Sequence, residues 1–265
     1  MNMWARRAGV IVLAGSLLTV SGCYGTAVSL AKCTAKEKKS LFVEQDFAAG
    51  STLRVRNEFG PISICGGNST QCQIEGRVYV RAPTRHEAEE IGEQVRIVAE
   101  PNDGTLMVTS DIPSLEEDRS VWVDLRIILP SQAHVDCETG FGRVKLIGIE
   151  GDIRAHTEFG AITCKKITSG NINVQTEFGG IYVACEDESP ADLVADVRTE
   201  YGKIRFKAPE SFDGDFDIRT ELGSTGAKLG VASRDQWTHS HKTGAAGSGK
   251  GKLFLETQFG SIKLR

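Results

Sequence analysis

Two residue patterns in this 265-residue chain suggest a catalytic or metal-binding site, but each lacks residues that such a site requires. The Gly-rich stretch at 244–251 resembles a phosphate-binding loop, but Gly251 stands where a Ser or Thr would ligate magnesium. His239 and His241 alternate along a strand-like segment, but no further Cys, His or carboxylate falls at a spacing that would complete a metal site. The sequence therefore predicts no catalytic residue, no metal and no cofactor, and we do not expect an enzyme.

A more regular candidate is a set of four glutamates, each in the second position of a recurring four-residue phrase, which reads Thr-Glu-Phe-Gly at 157–160 and 176–179. They are Glu158, Glu177, Glu200 and Glu221. If the copies stack in register, neighbouring carboxylates would lie about 5 Å apart and repel one another by about 1 kcal/mol in water. Such a ladder could bind a cation, a basic surface or another ligand, and a solvated row of acids without a ligand is the alternative.

The seven cysteines suggest lipidation and disulfide formation rather than catalysis. Cys65 and Cys72 bracket six residues that have the character of a hairpin loop, and we predict a disulfide between them if the chain is exported. Cys137 and Cys164 fall at inward strand positions, where cysteine acts as a small apolar residue. No His pattern supports a thiol nucleophile.

Residues 1–22 have the pattern of a lipoprotein signal peptide. Arg6 and Arg7 form a positive n-region, and the apolar stretch at 8–20 is too short to span a bilayer as a helix. Small residues then precede Cys23, whose thiol would be acylated after cleavage. A secretory signal followed by a chance cysteine is the alternative. Residues 23–40 are predicted to form a tether, whose four lysines could also contact anionic headgroups.

The strongest pattern in the chain is the repeat that carries the glutamates. Copies of the phrase begin at 139, 157, 176, 199 and 220, with spacings of 18, 19, 23 and 21, and related copies begin at 57 and 257. Periods of this size are typical of solenoid proteins. Apolar and polar residues alternate on both sides of each copy, which predicts short strands with one buried face.

These strands predict an all-β fold, a parallel β-solenoid (β-helix-like), in which each repeat supplies two strands joined at the aromatic-Gly step. Stacked copies would place equivalent residues about 4.8 Å apart. We expect the glycine of each copy to turn the corner with a positive φ. A stack of antiparallel hairpins is the alternative. One ladder is expected to point inward as an apolar column: Phe141, Phe159, Phe178, Tyr201 and Leu222.

The remaining segments are expected to close the ends of the stack. Residues 41–130 form an N-terminal β-rich cap that contains the first coil and one short helix, for which Thr84 and Glu87 provide a capping box. Residues 131–265 contain the repeats, with a loop insertion at 224–251. The final strand is expected to cover the exposed edge at the far end.

The order of these features along the chain is itself informative. The run Leu-Arg-Val-Arg-Asn-Glu-Phe-Gly-Pro-Ile-Ser-Ile at 53–64 is followed by the short helix, the strand at 125–130 and the repeat at 151–163. In this order the features resemble the putative adhesin family of bacterial envelope proteins, a domain family of unknown function. The resemblance covers 41–265 and implies a β-solenoid-like fold at the cell surface, with no catalytic residues to transfer. The chain departs from the family pattern at 224–251.

Together these patterns favour a non-enzymatic, lipid-anchored cell-envelope protein, an adhesin or an interaction scaffold with a repetitive surface. Its partners would be the membrane, through the N-terminal lipid, and an envelope glycan or another surface protein. The formal net charge of −4 argues against a nucleic-acid partner. Two alternatives are a carbohydrate-active β-helix enzyme that acts on a polysaccharide and an accessory protein for envelope-stress sensing. The expected location is the outer membrane or cell surface, or else the periplasmic face.

Overall fold

The structure, a computed structural model, describes residues 35–229, 236–237, 240–247 and 249–265. The signal peptide at 1–22 and the lipidation site Cys23 lie outside the described residues and stay predictions. Within the described ranges the chain is all-β with one helix. In chain order the elements are β1 (Ala35–Asp46), β2 (Thr52–Phe59), β3 (Ile62–Gly67), β4 (Gln71–Ala82), α1 (Arg85–Gln94), β5 (Arg96–Asn102), β6 (Thr105–Asp111), β7 (Ser120–Pro130), β8 (His134–Phe141), β9 (Val144–Ile147), β10 (Ile153–Phe159), β11 (Ile162–Ile167), β12 (Asn171–Phe178), β13 (Ile181–Cys185), β14 (Val194–Tyr201), β15 (Ile204–Lys207), β16 (Gly214–Leu222), β17 (Thr225–Ala227), β18 (Gln236–Trp237), β19 (His241–Ala246), β20 (Gly251–Phe259) and β21 (Ile262–Leu264).

The strands form two large, mostly parallel sheets. The first sheet has ten strands in the order β1-β4-β7-β3-β9-β11-β13-β15-β21-β17. The second sheet has eleven strands in the order β18-β19-β16-β20-β14-β12-β10-β8-β2-β6-β5. Each repeat supplies one strand to the second sheet and the next strand to the first. We call the aromatic-Gly step between these two strands the corner.

Consecutive repeats pair in parallel and in register. Thr157 of β10 lies beside Thr139 of β8 on one side and beside Thr176 of β12 on the other. The pairs Ile162–Val144 and Ile162–Ile181 repeat this register in the first sheet. The prediction of parallel copies is therefore confirmed, and the antiparallel-hairpin alternative is wrong.

The last strands do not follow chain order. β20 lies between β14 and β16, with Thr257 beside Thr199 on one side and beside Thr220 on the other. The expectation that the final strand closes the end of the stack is therefore wrong. Part of the insertion at 224–251 takes the terminal place instead, because β19 pairs antiparallel with β16.

One continuous core is filled from both sheets. The inward positions follow the period-two alternation of the sequence, and burial of each Ile or Leu contributes about 1.5–3 kcal/mol. In the second sheet these positions are at most 1% exposed at Val55, Cys137, Ala155, Val174, Val197, Leu255 and Ile218. In the first sheet the same holds for Ile64, Leu146, Cys164, Val183, Phe206 and Leu264.

The N-terminal part contains the helix that the capping box predicts. Helix α1 begins after Thr84, whose hydroxyl accepts a hydrogen bond from the backbone N–H of Glu87. The first strand was not expected. β1 starts at Ala35, inside the predicted tether, and pairs antiparallel with β4 along its whole length. The tether therefore ends before residue 35 rather than at 40.

The corner glycines are required for close packing between neighbouring repeats. A Cβ atom on Gly160 would overlap the carbonyl oxygen of Gly142, and one on Gly179 would overlap that of Gly160. The expectation of a positive φ is wrong for most of these positions, since among the corner glycines only Gly60 has one. Close approach of successive backbones therefore selects glycine here.

The predicted hairpin and disulfide between Cys65 and Cys72 do not form. β7 lies between β3 and β4, so two strand spacings of about 4.8 Å separate the two cysteines across the sheet. Cys72 is buried in the core, whereas Cys65 points to the outer face, and both thiols are unpaired. A disulfide needs Cα atoms within about 7 Å, so this geometry does not allow the bond.

We predict that iodoacetamide modifies Cys65 before the other described cysteines in the folded protein, because it alone among them is not buried. Burial raises the pKa of Cys72, Cys137 and Cys185 to about 12 and raises that of Cys164 as well, so these thiols stay protonated and inert at neutral pH. Peptide mass spectrometry before and after addition of denaturant measures the order of modification. A peptide pair joined through Cys65 and Cys72 under non-reducing conditions would contradict the structure.

A second prediction compares two adjacent glycines. Gly179→Ala should lower the free energy of unfolding by about 1–3 kcal/mol or more, because the new methyl group meets a backbone carbonyl that cannot move aside. Gly180→Ala is the matched control, since its methyl group would lie 3.4 Å from the nearest atom, the carbonyl oxygen of Lys203. Urea denaturation of both variants gives the comparison, and equal losses would refute the close-packing explanation.

Candidate functional site

The corner is the candidate site, and its inner side is formed by threonine. Thr157, Thr176 and Thr199 are buried, at 0–4% exposed. The hydroxyl of Thr176 donates a hydrogen bond of 3.0 Å to the carbonyl oxygen of Gly160 in the neighbouring corner, and Thr199 donates one of 2.9 Å to Gly179. The same bond recurs at Thr139, Thr157, Thr220 and Thr257. Each threonine thus satisfies a corner carbonyl of a neighbouring repeat.

The aromatic residues of the corner point outward, not inward as predicted. Phe141, Phe159, Phe178 and Tyr201 are 42–48% exposed, and Leu222 is 64% exposed. The strand alternation that would turn them inward ends at the threonine, because the chain bends into the corner over the next residues. The threonine side chain and the close-packed glycine occupy the inner side, so the ring lies outside.

The exposed rings form a continuous stack, which we call the ring ladder. It consists of Phe59, Phe141, Phe159, Phe178, Tyr201 and Phe259. The centroids of successive rings lie 5.4, 4.8, 4.9, 4.9 and 4.8 Å apart, and the planes from Phe141 onward are parallel within 2°. The ladder therefore runs for about 25 Å at the spacing of the strands.

The ring ladder offers ring edges to solvent rather than ring faces. Each inner ring has both faces covered by its neighbours, so it cannot stack on a sugar or accept a cation over its face. The edge of an aromatic ring carries the positive part of its quadrupole. The exposed stripe is therefore apolar, rigid and weakly attractive to anionic or carbonyl groups.

The predicted glutamates lie next to the ring ladder, but they do not form one unbroken row. Glu158, Glu177 and Glu200 are on adjacent strands; Glu158 and Glu200 are exposed, and Glu177 is half-buried. Glu221 is separated from them because β20 inserts Gln258 between β14 and β16. The contiguous acidic stripe thus has three members, and its role in binding a ligand stays a prediction.

Charges on the outer face of the second sheet are largely paired. Asp136 receives hydrogen bonds from the guanidinium groups of Arg54, at 2.9 Å, and Arg56, at 3.2 Å. Partial burial alone would raise the pKa of Asp136, but the two arginines outweigh this effect and hold the pKa below its ordinary value. Asp136 therefore stays ionised at neutral pH and acts as an ion-pair partner.

A second paired group surrounds Phe254 in β20. The guanidinium groups of Arg198 and Arg219 lie 4.8 and 5.3 Å from its ring centroid, one from each neighbouring strand. Each arginine is also bound to the aspartate two residues earlier in its own strand, Asp196 or Asp217. Sequence reasoning missed this group, because β20 comes beside β14 and β16 only through the unexpected strand order.

The sequence candidates for metal binding gain no support in the part of the chain that the structure describes. His239 lies outside it, and His241 contacts the carboxylate of Asp217 at 2.9 Å. Across residues 35–229 and the later described segments, no group of three or more His, Cys, Asp or Glu side chains is placed to hold a metal ion. No helix of these segments has the length and apolar character needed to cross a membrane.

We predict that Phe178→Ala lowers the free energy of unfolding by only about 1–2 kcal/mol, since the lost interaction is stacking on two neighbours at a half-exposed position. Phe206→Ala in the core, where the ring is 1% exposed, should cost about 3–5 kcal/mol. Chemical denaturation of the two variants measures the difference. Equal losses would indicate that the ring ladder is buried after all.

Comparison with solved structures finds similar proteins, although no protein-family model and no curated protein matches the chain. A putative cell adhesion protein from Clostridium sporogenes is 12% identical with a TM-score of 0.50, over 86% of this chain and 99% of that one. A putative adhesin from Bacteroides fragilis is also 12% identical, over 86% of this chain and 97% of that one, with a TM-score of 0.39. At this level of identity, the likeness to the Clostridium protein establishes a common fold.

Proposed function

We propose that the protein is a non-enzymatic, lipid-anchored scaffold of the bacterial cell envelope with an adhesin-like role. In this proposal the two parallel sheets are the opposite walls of a β-solenoid, and its repeated outer surface binds a partner. The anchor would be the acylated Cys23 that the sequence predicts. The name of the Clostridium structural neighbour, a cell adhesion protein, supports this role.

The observation that carries the proposal is the ring ladder. Five parallel rings from Phe141 to Phe259 repeat one exposed feature at strand spacing, so they form a contiguous patch rather than scattered single side chains. A contiguous exposed apolar stripe on a folded protein typically marks an interaction surface. Because each inner ring is held between two neighbours, the stripe is already ordered before it binds, which lowers the entropic cost of binding.

The chemistry of the described polar groups also favours binding over catalysis. The buried thiols of Cys137 and Cys164 are held protonated, so they are not nucleophiles. A polysaccharide-cleaving enzyme on a parallel β-fold needs acids and bases gathered in a groove, usually on long loops. In the insertion at 224–251, β19 instead extends the second sheet beside β16, and the nearby Asp217 is engaged by Arg219 and His241.

The anchor proposal fits the distance between Cys23 and the fold. Only eleven residues, 24–34, separate the cysteine from β1. Even fully extended they would span about 40 Å, so the domain would stand close to the bilayer. Dual acylation at one cysteine gives stable attachment without a spanning helix.

We predict that bacteria producing the full chain incorporate an alkyne-tagged fatty acid into it and retain it in the membrane fraction. Cys23→Ser should abolish both signals. Cys33→Ser is the matched control, because it removes a thiol from the same N-terminal region without touching the predicted acylation site. Labelling that persists in Cys23→Ser, or that is lost in Cys33→Ser, would overturn the anchor.

Glycan binding without cleavage is the outcome expected of a non-enzymatic protein. The full chain should retain glycans on an array while leaving polysaccharide substrates at their original length. Release of reducing or unsaturated sugar ends by the purified protein would instead establish the carbohydrate-active enzyme.

A further inference from the structure

The outer face of the first sheet carries a dense group of positive side chains. Arg205 and Lys207 lie on β15, Lys263 lies on the adjacent β21, and Arg265 follows directly after it. Lys203 precedes β15 at the corner. All five are exposed, and we call them the basic patch.

Among the described residues, the cations of the patch form no ion pair with a carboxylate side chain. Within the part of the chain that the structure describes, no carboxylate side chain lies within ion-pairing distance of any of its five cations. The second sheet provides an internal comparison, because its Arg54, Arg56, Arg198 and Arg219 each contact an aspartate. Arg205 and Lys263 are direct cross-strand partners, an arrangement that destabilises a sheet when the charges are alike.

The charge of the whole chain does not account for the patch. The formal net charge is −4, so positive groups are in the minority. Five of them nevertheless meet on one sheet face, where strand geometry sets neighbouring members about 5–7 Å apart. An uncompensated group of this kind is explained most simply by an anion that occupies it.

The patch surrounds a depression that offers more than charge. Its volume is about 470 Å³, and besides the basic patch its lining includes Tyr182 and Ser261. Tyr182 is the cross-strand partner of Arg205, and the ammonium group of Lys165 lies 5.7 Å from its ring centroid. Unlike the rings of the ring ladder, Tyr182 stacks on no other aromatic ring among the described residues, so the ring face away from Lys165 can contact a ligand.

We infer that the basic patch binds an anionic polysaccharide, a polymer whose sugars carry carboxylate groups along an extended chain. The cations would pair with the acidic groups, the hydroxyl of Ser261 would bond to sugar hydroxyls, and Tyr182 would contact a sugar ring. A lipid surface fits less well, because none of the residues that line the depression is an exposed large apolar side chain that could enter a bilayer. This inference names a ligand class for the proposed non-enzymatic binding role and rests on that role.

The test measures binding of the full chain to polygalacturonate, with fully methyl-esterified polygalacturonate as the uncharged polymer. We expect binding only to the charged polymer, with an affinity that falls as salt is raised. Arg205→Gln combined with Lys263→Gln should weaken it about tenfold or more, as expected for two exposed charge contacts. Arg205→Lys combined with Lys263→Arg should keep most of the affinity.

The matched control removes the same two charges from the other sheet. Arg154→Gln combined with Lys252→Gln changes exposed residues of β10 and β20, and it should leave the affinity unchanged. Circular dichroism would verify that all variants are folded.

Three results would overturn the inference: no binding to polygalacturonate, equal binding of the esterified polymer, or equal loss of affinity in both glutamine pairs. Tighter binding to phosphatidylglycerol vesicles than to the polymer, through Arg205 and Lys263, would replace the polysaccharide with a membrane surface and would also overturn it. Cleavage of the bound polymer would contradict the non-enzymatic function, whereas failure to bind would leave that function standing.

Discussion

The structure depends on in-register parallel pairing of successive repeats. At this register each side chain lies beside its own counterpart one strand away, at about 4.8 Å. A side chain that recurs at one position of the repeat therefore forms a ladder across the strands, and its effect on stability recurs in each repeat. At the corner there are three such ladders: threonines whose hydroxyls bond to a carbonyl of a neighbouring repeat, glycines that allow close approach of the neighbouring backbone, and aromatic rings that stack on the outside.

The three ladders depend on one another. Because Gly179 has no side chain, its repeat can approach the preceding corner closely enough for the hydroxyl of Thr176 to reach the carbonyl of Gly160 at 3.0 Å. With the inner side of the corner filled in this way, the aromatic residue has room only on the outside. There the strand spacing happens to suit ring stacking, so the exposed rings gain contacts with one another that a single exposed ring would lack. The result is a rigid apolar stripe beside the glutamates.

The two sheets differ in how the charged side chains of their outer faces are arranged. On the second sheet, aspartates and arginines alternate along or across strands and neutralise one another, as at Asp136 with Arg54 and Arg56. On the far end of the first sheet, β15 and β21 place like charges side by side at Arg205 and Lys263. A chain with a negative net charge thus presents one positive surface, and that contrast gives the two faces different partners in our proposals.

The sequence by itself determined the features that depend on local periodicity. Alternation of apolar residues and the recurring phrase fixed the strands, their parallel stacking and the inward burial of Cys137 and Cys164, and the pair Thr84 and Glu87 fixed the start of α1. Only the tertiary structure decided which side the rings face, since the bend at the corner ends the alternation that a pattern can follow. It also decided that β7 separates Cys65 from Cys72, that β20 enters between β14 and β16, and hence that the acidic row is interrupted. These features depend on strand order and on contacts between neighbouring repeats. Residues far apart in the chain determine both through packing, so a local sequence pattern cannot predict them.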